Sequence, residues 1–590
     1  MGFVRKFAVS LGMLALSINA APAYAQSATV APTRDEIQRQ NPQRLPPATG
    51  RNVTVDGEIE RAPCPLADDQ FKDISVVITE IEFNGLEGLN ASQMRPAYAD
   101  LIGKPAAISA VCEIRDAAAT ILRNNGYLAA VQVPPQRIEN GVVRFDVLMA
   151  KLVGFQVRGQ AGKAEGLIEG YLQAISDQSV FNVIEAERYL LLARDIPGYD
   201  IRLALRPAGT VPGEVIGDVQ VVFVPVEIDA SVQNFSAREV GRFGMSTQLS
   251  LNGLLGIGDR TTISVLSTAD FKEQQVVRIG QEIRLGSEGI VLAGDFTHAW
   301  TTPDLGPMTD LSSRTLIASL EARYPLLRRQ AKNVFVSSGI DFIDQRTRFV
   351  GVPLTLDKLR VVYARLDFDA LHSDSIANRG EYSPTEPKWR IGGTLELRKG
   401  LGILGASESC GPGAIKCIAP GFVPISRIDG KPDAFVARFS GRAEYRPHPI
   451  VALSFAPRLQ YATDALLSYE EFSAGNFSVG RGYDPGTLSG DKGAGFSAEL
   501  AIGSLNTSSS SDVAVQGFVF FDSAWVWNDD LAALGMNPQN LISAGGGLRF
   551  AYGTRGTMDV MAAVPLKKAG LQAQRGDIRL LVNLTMKLLP

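Results

Sequence analysis

The sequence is poor in the residue types that build metal and catalytic sites. Its three histidines, His298, His372 and His448, lie far apart and show no ligand spacing with cysteine or acidic residues, so no metal site is expected. The net charge of −4 lacks the basic excess of nucleic-acid-binding proteins, so no nucleic-acid partner is predicted. We see no nucleophile constellation and no phosphate-binding glycine loop, so neither an enzyme nor a cofactor is predicted.

Beyond the N-terminus the chain also lacks an apolar run of about 18 residues, which excludes a helical membrane protein but not a β-barrel. The N-terminus itself is typical of a signal peptide. Arg5 and Lys6 precede the apolar residues 7–18, and Ala23-Tyr24-Ala25 forms a small-x-small cleavage site. We therefore expect residues 1–25 to be removed on export.

Cysteine is scarce as well, with four residues in the whole chain. Export permits disulfides, and we group the cysteines as two candidate pairs, Cys64 with Cys112 and Cys410 with Cys417. The second pair would close a short loop that contains glycine and proline. Because no histidine accompanies either pair, a catalytic thiol is not predicted.

Residues 26–75 are polar and rich in proline, which predicts a linker without a core of its own. One short helix is predicted at residues 34–40. Thr33 can cap it, and Asp35 and Glu36 lie in its first turn, where negative charge is favourable.

Two similar α+β units follow the linker. Residues 76–150 contain a strand (76–83), a helix (91–102), a second helix that Ser109 can cap, and two strands, in that order. Residues 151–226 repeat the order, and their second helix (183–194) begins after the candidate cap Asn182 and is ended by Pro197-Gly198. Two such units in tandem indicate an internal structural repeat of about 75 residues.

From residue 227 to residue 590, segments of alternating apolar and polar residues replace the helical patterns. Residues 578–588 place leucine, isoleucine, valine and methionine on one side and polar residues on the other. A soluble β-sandwich and a membrane β-barrel both fit such alternation. The region is too long for one sandwich, and at about ten residues per strand it supports roughly sixteen antiparallel strands in a closed transmembrane barrel.

Short motifs stand in a fixed order along the two α+β units. Their residues are Gly126, Tyr127, Pro134, Pro135, Gln136, Pro197 and Gly198. In this order and spacing they resemble the POTRA domains of TpsB transporters, the haemolysin-activator (ShlB/FhaC/HecB) type of two-partner secretion, within the BamA-like outer-membrane translocase superfamily. The resemblance spans residues 76–590. It implies an all-β barrel (227–590) in the outer membrane behind two periplasmic domains, POTRA 1 (76–150) and POTRA 2 (151–226).

A further motif resembles the family's sixth extracellular loop, which folds back into the barrel. Residues 479–483 resemble its Val-Arg-Gly-Tyr tip, and residues 520–524 resemble a Phe-x-Asp-x-Gly strand motif in which Ala524 replaces glycine. The resemblance implies that Arg481 binds Asp522. The alternatives are an ordinary glycine-rich surface turn and a solvated lumen aspartate. The other hairpin residues are Val479, Gly480, Gly482 and Tyr483.

The function implied by the resemblance is export of one unfolded exoprotein of the TpsA type. The POTRA domains would recognise it, the barrel of a monomer surrounded by outer-membrane lipid would pass it, and no nucleotide would be hydrolysed. The helix at 34–40 would correspond to the plug helix that some relatives place in the lumen. A barrel-assembly insertase of the BamA or TamA kind is the alternative. A porin or an outer-membrane enzyme explains less of the chain.

Overall fold

The computed structural model describes residues 33–39, 53–55, 64, 66, 68–71, 73–159, 162–209, 211–306, 309–376, 381–476, 478–507, 509, 511–532, 536–570 and 575–589. The predicted signal peptide and most of the predicted linker lie outside the described residues. Two short elements of the linker are described, helix α1 (Arg34–Arg39) and strand β1 (Val53–Val55).

The first α+β unit differs from its prediction at two elements. The predicted helix at 91–102 is only one α-helical turn followed by a 3₁₀ turn, Arg95–Ala97, because Pro96 has no amide to donate to the preceding turn. The predicted strand at 76–83 is two strands with different partners. The first pairs with residues 105–107 and the second pairs with residues 142–146. The elements are β2 (Ser75–Val77), β3 (Glu80–Asn84), α2 (Ala91–Met94), β4 (Pro105–Ala107), α3 (Ala110–Asn124), β5 (Ala129–Gln132) and β6 (Val142–Met149).

The second unit packs two helices on one face of a sheet. Asn182 caps its second helix, since the Asn182 side chain accepts a hydrogen bond from the amide of Ile184. The elements are β7 (Lys151–Gly159), α4 (Glu165–Ser176), α5 (Val183–Arg194), β8 (Tyr199–Pro207) and β9 (Glu214–Phe223). The sheet has the order β1-β8-β9-β7, so the linker strand β1 extends it at the β8 edge in parallel orientation.

The rest of the described chain forms a closed antiparallel barrel of sixteen strands, as the sequence predicts. Its first and last strands pair from Ile228↔Leu589 to Gln233↔Asn583, which closes the ring. The barrel strands are β10 (Val226–Gln233), β11 (Gly244–Asn252), β12 (Arg260–Thr268), β13 (Gln274–Leu285), β14 (Ile290–Thr301), β15 (Leu311–Arg328), β16 (Lys332–Phe349), β17 (Val352–Leu371), β18 (Trp389–Gly400), β19 (Phe435–His448), β20 (Val451–Ala462), and, beyond a small hairpin of β21 (Phe472–Ala474) and β22 (Leu488–Gly490), β23 (Lys492–Gly503), β24 (Val513–Trp527), β25 (Gln539–Tyr552), β26 (Gly556–Pro565) and β27 (Arg579–Leu589). Single helical turns α6 (Ser373–Ile376) and α7 (Asp529–Ala532) lie between strands.

The two faces of the barrel wall differ as a wall in lipid requires. On β27, Leu580 and Leu588 are exposed on the outside, at 62% and 57%, whereas Leu581 points inward and is buried. Buried charged residues such as Asp367 and Arg398 point into the lumen instead. An apolar outside and a polar inside are the arrangement of an outer-membrane barrel rather than of a sandwich core.

The strand directions divide the connections into two sets. Because the second α+β unit precedes β10, the turns after β11, β13 and β15 lie on the side of that unit. The connections after β18 and β20 lie on the opposite side. These two are the 401–434 loop and the 463–491 loop, and the second contains the predicted Arg481 hairpin.

Candidate functional site

The 463–491 loop folds back into the barrel and brings Arg481 to Asp522 on β24. The guanidinium Nε donates to Asp522 Oδ2 at 3.0 Å, and Nη2 donates to Oδ1 at 2.8 Å. The backbone amide of Arg481 donates to Oδ2 as well, at 2.9 Å. Asp522 is 1% exposed. The bidentate pair of Arg481 and Asp522 has a fixed geometry, because the planar guanidinium matches the two carboxylate oxygens and the carboxylate is buried.

Neighbouring side chains complete this pair, and sequence reasoning missed two of them, Glu499 and Ser497. Arg481 also donates to Glu499 at 3.1 Å and to the Ser497 hydroxyl at 2.7 Å, and its guanidinium lies 3.5 Å from the ring centroid of Phe520. Glu499 and Ser497 lie on β23, next to β24, and point to the same face. Their spacing of two residues on a predicted strand was the available signal, since such residues share a face.

The small residues around Arg481 allow the loop to lie against the wall. Gly480 has a φ of +112°, and a Cβ there would lie 2.5 Å from the Leu541 side chain. A Cβ on Gly482 would lie 2.8 Å from the backbone nitrogen of Pro565. Tyr483 is fully buried, and its hydroxyl donates to the Ile542 carbonyl at 2.8 Å. Val479 is buried in the same apolar cluster as Tyr483.

Ala524, which stands where the family motif has glycine, fits because a glycine faces it. Its register partner across the strand pair is Gly495. Ala524 is fully buried against Val479 and Tyr483. A Cβ on Gly495 would lie only 3.2 Å from the Ala524 Cβ, so the missing side chain on one strand makes room for the methyl on the other.

Helix α1 also lies inside the barrel. Arg34 donates to Glu396 on β18 at 2.7 Å, and Arg458 on β20 donates to Asp35 at 2.8 Å. Ile37 is buried in an apolar cluster with residues of β15, β16 and β17. Because these partners lie around the wall, the helix occupies the lumen.

The sequence of α1 alone gives it little stability. Thr33 and Glu36 form a reciprocal cap, in which the Glu36 amide donates to Thr33 Oγ1 at 3.3 Å and the Thr33 amide donates to Glu36 Oε2 at 2.6 Å. A helix of six residues is nevertheless marginal in water. Its contacts with the lumen wall therefore supply most of what holds it helical.

The wall that receives α1 is a network of buried charges. Arg398 on β18 is 2% exposed and binds three carboxylates, those of Glu396, Asp341 and Glu470, at 3.1, 2.8 and 2.9 Å. Glu396 thus joins the helix to the wall network through Arg34 and Arg398. Each charge in such a network is paired, as burial requires.

Among the POTRA 1 signature residues, Gly126 lies at the junction of the two α+β units, whereas the side chains of Tyr127 and Gln136 form hydrogen bonds within the first unit. Gly126 has a φ of +85°, and its carbonyl accepts from the Val183 amide at 2.8 Å, at the start of α5 in the second unit. The Tyr127 hydroxyl donates to the Gly88 carbonyl at 3.1 Å. Gln136 binds the backbone of Arg144 twice, so its side chain continues the sheet beside β6. Pro134 and Pro135 lie in the turn before Gln136.

The POTRA 2 signature lies against the barrel. Gly198, at a φ of +79°, accepts from the Val224 amide at 2.7 Å, where a Cβ would meet the Val224 carbonyl at 2.4 Å. Pro197 precedes it. Two residues earlier, Asp195 forms a bidentate pair with Arg328 on β15, with both bonds at 2.8 Å. Arg328 is 5% exposed, so this pair fixes the second unit to the barrel rim.

A second carboxylate joins the same two parts. Glu187 on α5 accepts from the backbone amide of Gln330, in the turn between β15 and β16. Burial raises the pKa of the Glu187 carboxyl above its ordinary value. The protonated form of Glu187 is therefore more favoured at this contact than it would be in water.

Both candidate cysteine pairs are bonded in the structure. Cys64 and Cys112 join the segment before β2 to helix α3. Cys410 and Cys417 close a turn within the 401–434 loop.

Within the described residues, no group of three or more histidine, cysteine or acidic side chains is arranged to hold a metal ion. None of the helices that the structure describes has the length and apolar character needed to cross a membrane.

Comparisons with known proteins agree with this architecture. A family model described as haemolysin secretion/activation protein ShlB/FhaC/HecB matches residues 219–550, more than half of the 590-residue chain. A model described as POTRA domain, ShlB-type, matches residues 76–149. The heme/hemopexin transporter protein HuxB of Haemophilus influenzae strain 86-028NP is 26% identical over 174 residues, and this match spans 28% of the present chain and 30% of HuxB.

Two solved structures share the fold over most of their length. CdiB from Escherichia coli superposes with a TM-score of 0.68 at 15% identity, covering 90% of this chain and 94% of CdiB. CdiB from Acinetobacter baumannii gives a TM-score of 0.61 at 15% identity, covering 93% of this chain and 95% of CdiB. The chain therefore belongs to the ShlB/FhaC/HecB family of haemolysin secretion/activation proteins, the TpsB transporters, with its barrel in the outer membrane and its POTRA domains in the periplasm.

Proposed function

We propose that this protein recognises one unfolded exoprotein through its POTRA domains and exports it through its barrel without hydrolysing nucleotide. It acts as a monomer and as a translocator rather than an enzyme. Membership of a secretion family supports export, and the relative HuxB is itself named a transporter. Because HuxB is named a heme/hemopexin transporter, a haem-related exoprotein is one cargo class to test.

The observation that carries this proposal is the direct connection between the periplasmic sheet and a polar lumen. POTRA 2 is fixed to the barrel rim by Asp195 and Arg328, so its sheet lies beside the lumen's periplasmic end. Besides the apolar cluster around Ile37, the lumen wall carries paired charges such as Arg365 with Asp367. A polar wall of this kind keeps water beside an extended polypeptide, so the polar groups of its backbone stay hydrated.

The β8 edge of POTRA 2 supports recognition of an extended chain. The chain's own β1 occupies this edge, with the register Val53↔Leu203 to Val55↔Leu205. The edge therefore accepts a strand through main-chain hydrogen bonds, which tolerate many side chains. An unfolded exoprotein has a free backbone of the same kind, and it would compete with β1 for the edge.

Two internal segments limit what can pass through the barrel. Helix α1 and the Arg481 hairpin both lie within the barrel, held by ion pairs of 2.7 to 3.1 Å. We propose that the exoprotein displaces α1 and that the hairpin sets the shape of the remaining passage. Folding of the exoprotein outside the cell would then prevent its return. The free energy of that folding, rather than nucleotide hydrolysis, would drive export.

Deleting the protein from its parent strain tests this function. We expect one large exoprotein to vanish from the medium and the cell surface while other outer-membrane barrels keep their normal levels, and reintroduction of the wild-type chain restores export. A simultaneous fall of many barrels would instead identify a barrel-assembly insertase and refute the cargo assignment.

A further inference from the structure

The 401–434 loop carries a disulfide-closed turn that lies with its sulfur atoms inward. Cys410 and Cys417 are 1% and 7% exposed, whereas Ile415 and Ile418 are 70% and 74% exposed. Ile415 in the turn and Ile418 directly after it therefore face outward, while the disulfide is buried. The disulfide has a packing partner below it.

The loop is held over the outer end of the barrel by bonds to two neighbouring elements. The Ser407 amide donates to the Lys358 carbonyl at 2.9 Å, and the Ser426 amide donates to the Asp357 carboxylate at 2.7 Å, both on β17. Further backbone bonds join Leu356 to Pro424 and Lys431 to Ala465, the latter in the 463–491 loop. These hydrogen bonds fix the position of the 401–434 loop relative to the barrel wall.

The partner below the disulfide is the apolar cluster that contains helix α1. Cys410 and Cys417 belong to the same buried cluster as Ile37, which is 6% exposed, and as Leu359 and Tyr469. The ion pairs of Arg34 and Asp35 hold the helix sideways against the wall, but this cluster meets it from the outer end. We propose that the disulfide-closed turn 410–417 is a positioning element that seats α1 in the lumen.

The disulfide matters here because it fixes the shape of the turn. Without the bond, the turn gains many conformations in which its buried side chains leave the cluster. Ile37 would then lose neighbours, and the helix would leave the lumen more often. This inference rests on the proposed role of α1 in closing the lumen, but it is measurable without any cargo.

Ion conductance of the purified full-length protein in planar lipid bilayers tests the seat. In Cys410→Ala/Cys417→Ala we expect the open fraction of the channel to rise about tenfold with no exoprotein present. The matched control is Cys64→Ala/Cys112→Ala, which removes the disulfide between the linker and α3 of POTRA 1. Neither of these cysteines belongs to the cluster around Ile37, so the conductance of this variant should equal that of the wild type. Because secretion is not measured, the seat and the export function can fail independently.

A second background separates the seat from a general effect on the barrel. With residues 33–39 deleted, the cysteine substitutions should add no further conductance, since the helix on which they act is gone. Ile425→Ala, a change at a 3%-exposed residue of the same cluster, should raise conductance in the intact chain even if the cysteine variant fails to insert. Unchanged conductance in the correctly inserted variants would overturn the inference, as would an equal rise in the helix-deleted background.

Discussion

Replacing Arg481 by alanine removes the guanidinium bonds that hold the re-entrant hairpin to the barrel wall, while the backbone amide bond from position 481 to Asp522 remains. The substitution deletes two guanidinium bonds to Asp522, one to Glu499 and one to Ser497. Glu499 keeps Arg549 as a partner, with a bond of 2.9 Å. Asp522 keeps the Ser497 hydroxyl at 2.6 Å but loses its counter-charge. The variant therefore leaves one buried carboxylate without a cation.

The size of the effect follows from that burial. Removing one partner of a buried ion pair costs about 3 to 5 kcal/mol. The Asp522 side chain is 1% exposed but that of Arg481 is 16% exposed, so we expect the lower end, about 3 kcal/mol. At 1.4 kcal/mol per tenfold, the equilibrium between seated and released hairpin shifts by roughly a hundredfold.

Hydrogen–deuterium exchange of the 475–490 amides measures this equilibrium. We expect these amides to exchange about a hundredfold faster in Arg481→Ala than in the wild type, while the strand amides of β14 and β15 are unchanged. Arg442→Ala is the matched control, because the Arg442 side chain is 66% exposed and its contact with Glu444 is 3.4 Å long.

The double variant provides the internal check. Arg481→Ala/Asp522→Ala leaves no unpaired carboxylate, so its effect should be smaller than the sum of the single effects. Strict additivity, or unchanged exchange in Arg481→Ala, would refute the reasoning that this pair holds the hairpin.

Three further results are expected. Arg34→Ala/Asp35→Ala removes the two ion pairs of α1 that the structure describes, so bilayer conductance should rise about tenfold; an unchanged conductance would mean that these pairs do not hold the helix. Asp195→Ala leaves the buried Arg328 unpaired, so limited proteolysis should release POTRA 2 from the barrel faster than in the wild type. Glu187 has a raised folded-state pKa, so its contribution to stability declines as pH rises from its ordinary value of 4.5 through the raised one. Glu187→Gln cannot ionise, so its thermal midpoint should exceed that of the wild type at neutral pH but not at pH 4; equal midpoints at both would contradict this.

Much of the fold is readable from local sequence signals. Helix α5 begins and ends where Asn182 and Pro197-Gly198 predict, at Val183 and Arg194, because caps act within one turn. The barrel follows from alternation, since a lipid-facing side and a lumen-facing side have a period of two. The first helix of POTRA 1 was predicted too long because Pro96 outweighed the helical composition around it.

The site is only partly readable, because its contacts join distant segments. The proposed pairing of Arg481 with Asp522 depended on resemblance to a family, and no local pattern names a partner 41 residues away. Asp195 and Arg328 are 133 residues apart, and their contact exists only after POTRA 2 docks on the barrel. The sequence predicts the pairing of Cys410 with Cys417, but it does not predict that this turn packs in the same cluster as Ile37 of α1, because the two segments are distant in the chain.

We propose that an exported chain passes through the lumen of this barrel. Thr394 and Leu395 on β18 test it, because adjacent strand residues point in opposite directions. Thr394 faces the lumen, where it donates to Asp367, and Leu395 is 41% exposed on the outside. A photo-crosslinking amino acid at position 394 should capture the exoprotein in secreting cells, and the same group at position 395 should not. Capture at position 395 alone, or at neither position while secretion continues, would contradict export through the lumen.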